Sequence, residues 1–357
     1  MWAIFVKELR QLRRDRRSLA LMIAMPLTLL VVFGYAASFD VESVETAVVG
    51  PFAERVRRAE LPELADVVRV DAAADRAEAE RILRDGEATV AVVAGPDPAV
   101  LIDGSDLFAA RAAVTALERL GSEAPGGLSP PRPEVLFNPE LDTSTVMVPG
   151  LIGIILVFVG TVMTSLGVVR ERQTGTLEQL AVMPFSARDV FLGKVLPYFG
   201  IAAVDMAIVV GAGLVLFGMP FRGSVPGFAL AAALFLFVTL GGGVLISSVS
   251  QNQGQAIQLA IMTLLPQVLL SGLLFPVASM AAGVRWIAYL LPLTYFIEIS
   301  RGLLVRGASI GSLSMPLLLL AVLGAVVFTA SILRFRKDLG PKISASGKPR
   351  TEAVMAR

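Results

Sequence analysis

Cysteine and histidine are both absent from this chain of 357 residues. Without cysteine there is no disulfide, no thiolate metal site and no cysteine nucleophile. Without histidine the usual general base and the commonest zinc ligand are missing too. Charge is also scarce: Asp, Glu, Lys and Arg make up 17% of the residues, where a soluble domain carries about a quarter. No phosphate-binding loop of the G-x-x-x-x-G-K-[ST] type occurs. "GPKISASGKPR" (340–350) has the wrong spacing, and Pro349 stands where a magnesium-holding hydroxyl is needed. The acids of the first long loop are scattered, as on a solvated face, and form no paired-carboxylate site. Enzyme classes are therefore disfavoured, and nucleotide chemistry has to be supplied from outside the chain. No cofactor and no nucleic acid is expected on it.

What the chain has in abundance is apolar surface. Hydrophobic residues make up 55% of it, with a mean hydropathy of +0.72. A hydrocarbon layer of roughly 30 Å needs about 20 apolar helical residues. Six stretches qualify: Leu19 to Ser38, Met147 to Val169, Val195 to Phe217, Pro226 to Val249, Ala256 to Phe275 and Met315 to Leu333. The segment 276–304 is apolar too, but Pro276, Gly283, Pro292 and Gly302 divide it. It reads as two short re-entrant helices; a seventh span is the competing reading and would move the C terminus outside. Six basic residues precede Leu19 and seven follow Leu333. The positive-inside rule thus places both ends, including the basic tail 334–357, in the cytoplasm.

The region 40–145 differs in kind. It holds 21 acidic and 10 basic residues, a net charge of −11, against +12 for the rest of the chain. Strand-like "TAVVG", "DVVRV", "ATVAVV" and "AVLID" alternate with helical patterns at 72–84 and 106–120, which describes a small α/β domain outside the membrane. "PEVLFNPEL" reads as the way back to the membrane. In 1–18, Trp2, Phe5, Leu9 and Leu12 recur at helical spacing opposite arginines. That is the pattern of an amphipathic helix lying on the anionic inner leaflet. A cleaved signal peptide fits less well, because the apolar run 19–38 is too long for one.

Polar groups inside apolar segments are the natural site candidates. Asp205 sits within a span, where an ionised carboxylate costs several kcal/mol unless paired or wetted; it is either a pathway residue or a hydrogen-bonded structural one. Glu298 and Arg301, three apart, can pair on one helix face. The turn 247–256 reads as a solvated hairpin. After the second span comes "RERQTGTLEQLAVMPFSARDVFLGKVLPY" (170–198). Gly175 interrupts a helix, Thr174 or Thr176 can cap the next one, and Met183-Pro184 stops it. Leu177, Leu180 and Val182 have no use in a solvated loop and suit a groove on a partner.

These residues resemble the signature loop of the permease subunits of type-2 ABC exporters, in the subgroup with a large external domain between the first two spans. "LFNPELDTSTVMVPGLIGIIL" (136–156) is similar to the family's start of the second span, where Pro149, Gly150 and Gly153 fall. "LLSGLLFPVASMAAGVRWIAYLLPLTYFIEISRGLLVRG" (269–307) resembles its broken segment, with Pro276, Pro292, Glu298 and Arg301. The resemblance covers nearly the whole chain, and Gln173 stands where glutamate is usual.

It implies an α-helical polytopic protein: six transmembrane helices, a transmembrane domain over 146–333, an inserted extracytoplasmic α/β domain and a bacterial plasma-membrane location. It further implies a coupling loop at 170–188 that docks on a cytoplasmic ATPase, with Glu171, Arg172, Thr174, Gly175, Thr176, Leu177, Glu178, Gln179 and Leu180 in the coupling helix. Two ATPase copies would carry ATP and magnesium, and a second or related permease would complete the path among membrane lipid. The expected cargo is amphipathic or hydrophobic: a drug, an antibiotic or a lipid-like molecule. Two other readings remain, a multi-span receptor or scaffold with an acidic external domain and a proton-driven carrier using Asp205. No internal repeat of the kind common in carriers is evident.

Overall fold

The computed structural model describes residues 43–58, 65–123, 133–174 and 187–339. The amphipathic segment 1–18, the first span 19–38, most of the coupling helix and the end of the tail lie outside the described residues. Strands β1 (Val44–Val49), β2 (Ala65–Asp71), β3 (Val90–Val93), β4 (Ala99–Asp103) and β5 (Pro133–Leu136) form one sheet in the order β2-β1-β3-β4-β5. All pairings are parallel except β3 with β4. Helices α1 (Ala53–Arg58), α2 (Arg76–Asp85) and α3 (Leu107–Glu123) connect the parallel strands, as parallel pairing requires. Ala47, Val49, Ile82, Leu83, Ala91 and Leu101 close one side of the sheet over α2. Val44, Val100, Ile102, Ala110 and Ala113 close the other over α3.

Two elements here differ from the expectation. "PEVL" forms the edge strand β5 before the chain returns to the membrane, and "AERVRR" forms α1. The helix expected from Ala72 begins at Arg76, where the Asp75 side chain accepts from the Glu78 N–H. Short-range capping thus overrides the apolar periodicity that starts earlier.

Asn138 organises the exit from the sheet. Its amide donates to the Gly104 and Asp142 carbonyls, at 3.2 and 3.0 Å, and its Oδ1 accepts from the Asp142 N–H at 3.0 Å. The Asp142 carboxylate then accepts from the N–H and hydroxyl of Ser144, opening α4 (Thr143–Gln173). There follow α5 (Ala187–Leu216), α6 (Val225–Val249), α7 (Gln253–Leu270), α8 (Ala282–Ala288), α9 (Pro292–Arg301) and α10 (Ser314–Leu339).

Four of these helices are long and apolar enough to cross a membrane: α4, α5, α6 and α10. α8 and the run Pro292–Arg306 meet at 74° and could together count as a fifth. α7 differs from the span expected at 256–275. It stops at Leu270, where Gly272 turns the chain at φ +85°, and its 18 residues include four glutamines. Apolar exposed residues such as Ile201, Val204 and Ile208 on α5, and Met315, Leu318 and Val326 on α10, suit contact with lipid.

The sheet domain is tied to the helical body by an ion pair 203 positions apart in sequence. Arg306 Nη1 lies 3.4 Å from Asp103 Oδ2, with the carboxylate almost wholly buried. The same guanidinium sits against Gly86, the left-handed cap of α2, where an added Cβ would fall 2.9 Å from Nη2. A cation beside a helix C terminus is favourable. Burial pushes the Asp103 carboxyl above the usual aspartate range, against the opposing pull of Arg306 and of Ser105. Because the folded value exceeds the unfolded one, this contribution to stability is complete below the ordinary aspartate value of about 3.9. It is lost as pH rises through the raised value.

Two outcomes follow for the full-length protein in detergent. Asp103→Ala leaves Arg306 without its carboxylate and lowers unfolding stability by about 3 kcal/mol. Asp103→Asn removes the pH-dependent step just described. Chemical unfolding followed across the acidic range checks both, and an unchanged pH profile in Asp103→Asn would count against the assignment.

Candidate functional site

α4 is the helix around which the candidate residues gather: it packs against α5, α6, α7, α9 and the π-helical turn Gly302–Arg306. Pro149, Gly150 and Gly153 lie in its first turns. A Cβ on Gly153 would stand 2.5 Å from Leu293 Cδ1 and 2.9 Å from Phe296 Cδ1, and one on Gly150 would collide with Leu273. The glycines therefore let α4 press directly on the broken segment. Phe296 continues that contact inward by stacking on Phe235 of α6, with ring centroids 4.3 Å apart.

At the other end of α4, the Thr174 hydroxyl donates to the carbonyls of Arg170 and Glu171. The Gln253 side chain donates to Gln173 Oε1 at 3.0 Å. The turn 247–256 therefore braces the end of α4 where the coupling stretch departs. Gly175, Thr176, Leu177, Glu178, Gln179 and Leu180 lie outside the described residues, and the helix resumes at Ala187. Glu171 is half-buried at this end. Asp205 is half-buried on α5, its Oδ2 buried with no hydrogen-bond partner among the described residues. It lies outside the lining of the cavity described next.

Pro276, Glu298 and Arg301 come together there. A cavity of ≈ 520 Å³ lies between β1, the start of α3 and the broken segment. Pro292 does not line it; it begins α9. The expected pair between Glu298 and Arg301 does not form. The charged neighbours of Glu298 are Arg306 and Glu45, while Asp106, Arg306 and Asp103 surround Arg301. Each side chain thus has charged neighbours other than its expected partner, some of them from the sheet domain, which helix spacing cannot register.

Glu45, Asp106, Arg285 and Ser271 also line the cavity, and none of them was assigned a role from the sequence. Loss of bulk water, then the carboxylates of Asp66 and Asp106, raise the Glu45 carboxyl above the ordinary glutamate range. The available signals were the "DGSD" run holding Asp106 and the repeated arginines of "RGLLVRG". The G-x-S-x-G run 307–311 is not a nucleophile elbow. It lies in the loop before α10, and the Ser309 hydroxyl oxygen accepts from the Ser312 N–H at 3.2 Å.

The packing at Gly153 is testable by size. Gly153→Val drives a branched side chain into Leu293 and Phe296 and costs about 1–3 kcal/mol. Gly200 has nothing within 4 Å of its Cβ position, so Gly200→Ala leaves stability unchanged or slightly higher. Thermal unfolding of both variants in one detergent gives the comparison; equal melting temperatures would remove the close-packing account.

Comparison with known proteins fits this arrangement. The family model described as ABC-2 family transporter protein matches residues 16–333. The chain is 30% identical over 335 residues to the probable multidrug ABC transporter permease YbhS of Escherichia coli (strain K12), covering 85% of this chain and 88% of that protein. It is 26% identical over 363 residues to the probable multidrug ABC transporter permease YbhR of the same strain, covering 95% and 99%. Over 211 residues it is 34% identical to the inner membrane transport permease YhhJ of that strain, covering 57% and 55%. The chain belongs to the ABC-2 family of membrane transporter permeases.

Proposed function

We propose that this chain is the membrane subunit of an ATP-driven exporter that moves amphipathic or hydrophobic molecules out across a bacterial inner membrane. The proposal includes six spans, the first at 19–38, with both termini in the cytoplasm and the domain 40–145 outside. Two copies of a separate cytoplasmic ATPase would hold ATP and magnesium, and a second permease would complete the path. The multidrug naming of the relatives YbhS and YbhR supports the choice of substrate class.

The observation that carries the mechanical part is the continuity of α4. Its 31 residues correspond to about 46 Å of helix. One end leads straight into the coupling stretch and the other presses on the broken segment through Gly150 and Gly153. ATPase closure that displaces "TGTLEQL" would act on α4 as on a lever. The segment from Pro276 to Leu304 would then shift at the outer mouth of the path.

Simultaneous Leu177→Ala, Glu178→Ala and Leu180→Ala substitutions are expected to release the ATPase from isolated membranes and to abolish substrate export. Retention of the ATPase together with unchanged export would refute the coupling role.

A further inference from the structure

The ion pairs around the cavity leave a distinctive remainder. Arg306 is committed to Asp103, and Arg285 donates from Nε and Nη2 to the Met280 carbonyl at 3.2 and 3.0 Å. Asp106 Oδ1 accepts from the Ala109 N–H at 3.2 Å, capping α3. Arg301 has no such commitment: its Nε is buried, and the guanidinium makes no hydrogen bond or ion pair with any described residue. The Ser271 hydroxyl is also buried, lines the cavity and lacks a partner among the described residues. Buried polar atoms such as the Arg301 Nε and the Ser271 hydroxyl are ordinarily hydrogen-bonded. Glu45 of β1 and Glu298 of α9 line the same cavity, and neither has an ion-pair partner among the described residues.

These groups select a charge pattern. A simple anion would satisfy Arg301 but would face Glu45, Glu298, Asp66 and Asp106 in one chamber. A simple cation would relieve the carboxylates and leave Arg301 unpaired. One molecule carrying both signs satisfies both sets of groups. We propose that this cavity binds a zwitterionic group, its anionic part held by the Arg301 guanidinium and the Ser271 hydroxyl, its ammonium part between Glu45 and Glu298. Arginine suits the first role, since its fork matches carboxylate and phosphate oxygens. The volume of ≈ 520 Å³ is within the range of small-molecule sites. Because Glu45 belongs to the sheet domain and Glu298 to the broken segment, an ammonium between them draws the two together.

The inference deepens the export reading by naming the polar class of molecule met at the outer side, and rests on it only for the consequence in transport. Binding is therefore tested on the full-length chain in phosphatidylglycerol nanodiscs without ATPase, so that failure here is separate from failure of export. The probe is glycerophosphoethanolamine, compared with glycerol 3-phosphate and with ethanolamine by isothermal titration. Saturable binding of the zwitterion is expected, with each single-charge probe at least tenfold weaker. Arg301→Gln should weaken the zwitterion at least tenfold. Glu45→Gln, on a strand surface away from the helical core, should do likewise without altering the melting temperature. Exchanging phosphatidylethanolamine into the nanodisc tells the sources apart: a weakened apparent affinity identifies a lipid headgroup as occupant, and an unchanged one a soluble zwitterion. Equal binding of glycerol 3-phosphate, wild-type affinity in Glu45→Gln, or no saturable binding would each overturn the proposal.

Discussion

Close approach of helices along α4 is the constraint on which the rest of the molecule depends. In a bilayer there is no hydrophobic force to press helices together, because lipid tails are as apolar as leucine; association relies on packing and interhelical hydrogen bonds. α4 meets that demand with small residues at each contact. Gly150 and Gly153 face the broken segment, Gly160 faces Thr239 of α6, and Gly167 faces Tyr198 of α5. Gly243 of α6 returns the contact against the Thr161 carbonyl, where a Cβ would be 2.8 Å away. One helix thereby touches nearly every other element of the membrane part, and a substitution that thickens it must move several neighbours at once.

The broken segment obeys a second demand, that backbone groups at membrane depth be satisfied within the protein. Its side chains do this locally. The Thr294 hydroxyl donates to the Ala288 carbonyl at 2.7 Å, Tyr295 to the Tyr289 carbonyl at 2.6 Å, and Arg285 to the Met280 carbonyl. Arg222 donates to the Val305 carbonyl at 3.1 Å, closing the π-helical turn. These bonds span the bend of 74° between the two short helices, and Arg306 is left to engage Asp103 of the sheet domain.

Sequence reading succeeded where the signal was periodic or compositional. Apolar length located the membrane-length parts of α4, α5, α6 and α10 to within a few residues, and Pro276 and Pro292 marked the breaks, whereas Gly283 lies inside α8. It failed where pairing decides. The four residues of β5 carry no alternation, and they are a strand only because β4 offers an edge beside them. α7 ends at Leu270 because Gly272 adopts a left-handed conformation, which hydropathy does not register. Arg306 and Asp103 are adjacent only in the folded chain, so their pairing drew no notice. Glu298 and Arg301 were read as partners since helix spacing permits it, but among the described residues they form no ion pair and their charged neighbours are others. The glycines of α4 were legible as a motif, while their reason, contact with Leu273 and Leu293, was not.

The position of Pro149 connects these points. Proline within a helix lacks the N–H that would bond the carbonyl four residues earlier and crowds that carbonyl sterically. Pro149 is the helix-internal proline of α4 and immediately precedes Gly150. Bending therefore costs least in the turn between the sheet-domain junction and the contact with the broken segment. From Gly150 to Gln173 the helix holds no further proline. Gly150 and Gly153, next in the chain, meet Leu273, Leu293 and Phe296 directly. That sheet stays anchored to the broken segment through Asp103 and Arg306. Leu293, Phe296, Glu298 and Arg301 all belong to α9, so the helix packed on Gly153 is also the one that carries the charged groups of the cavity.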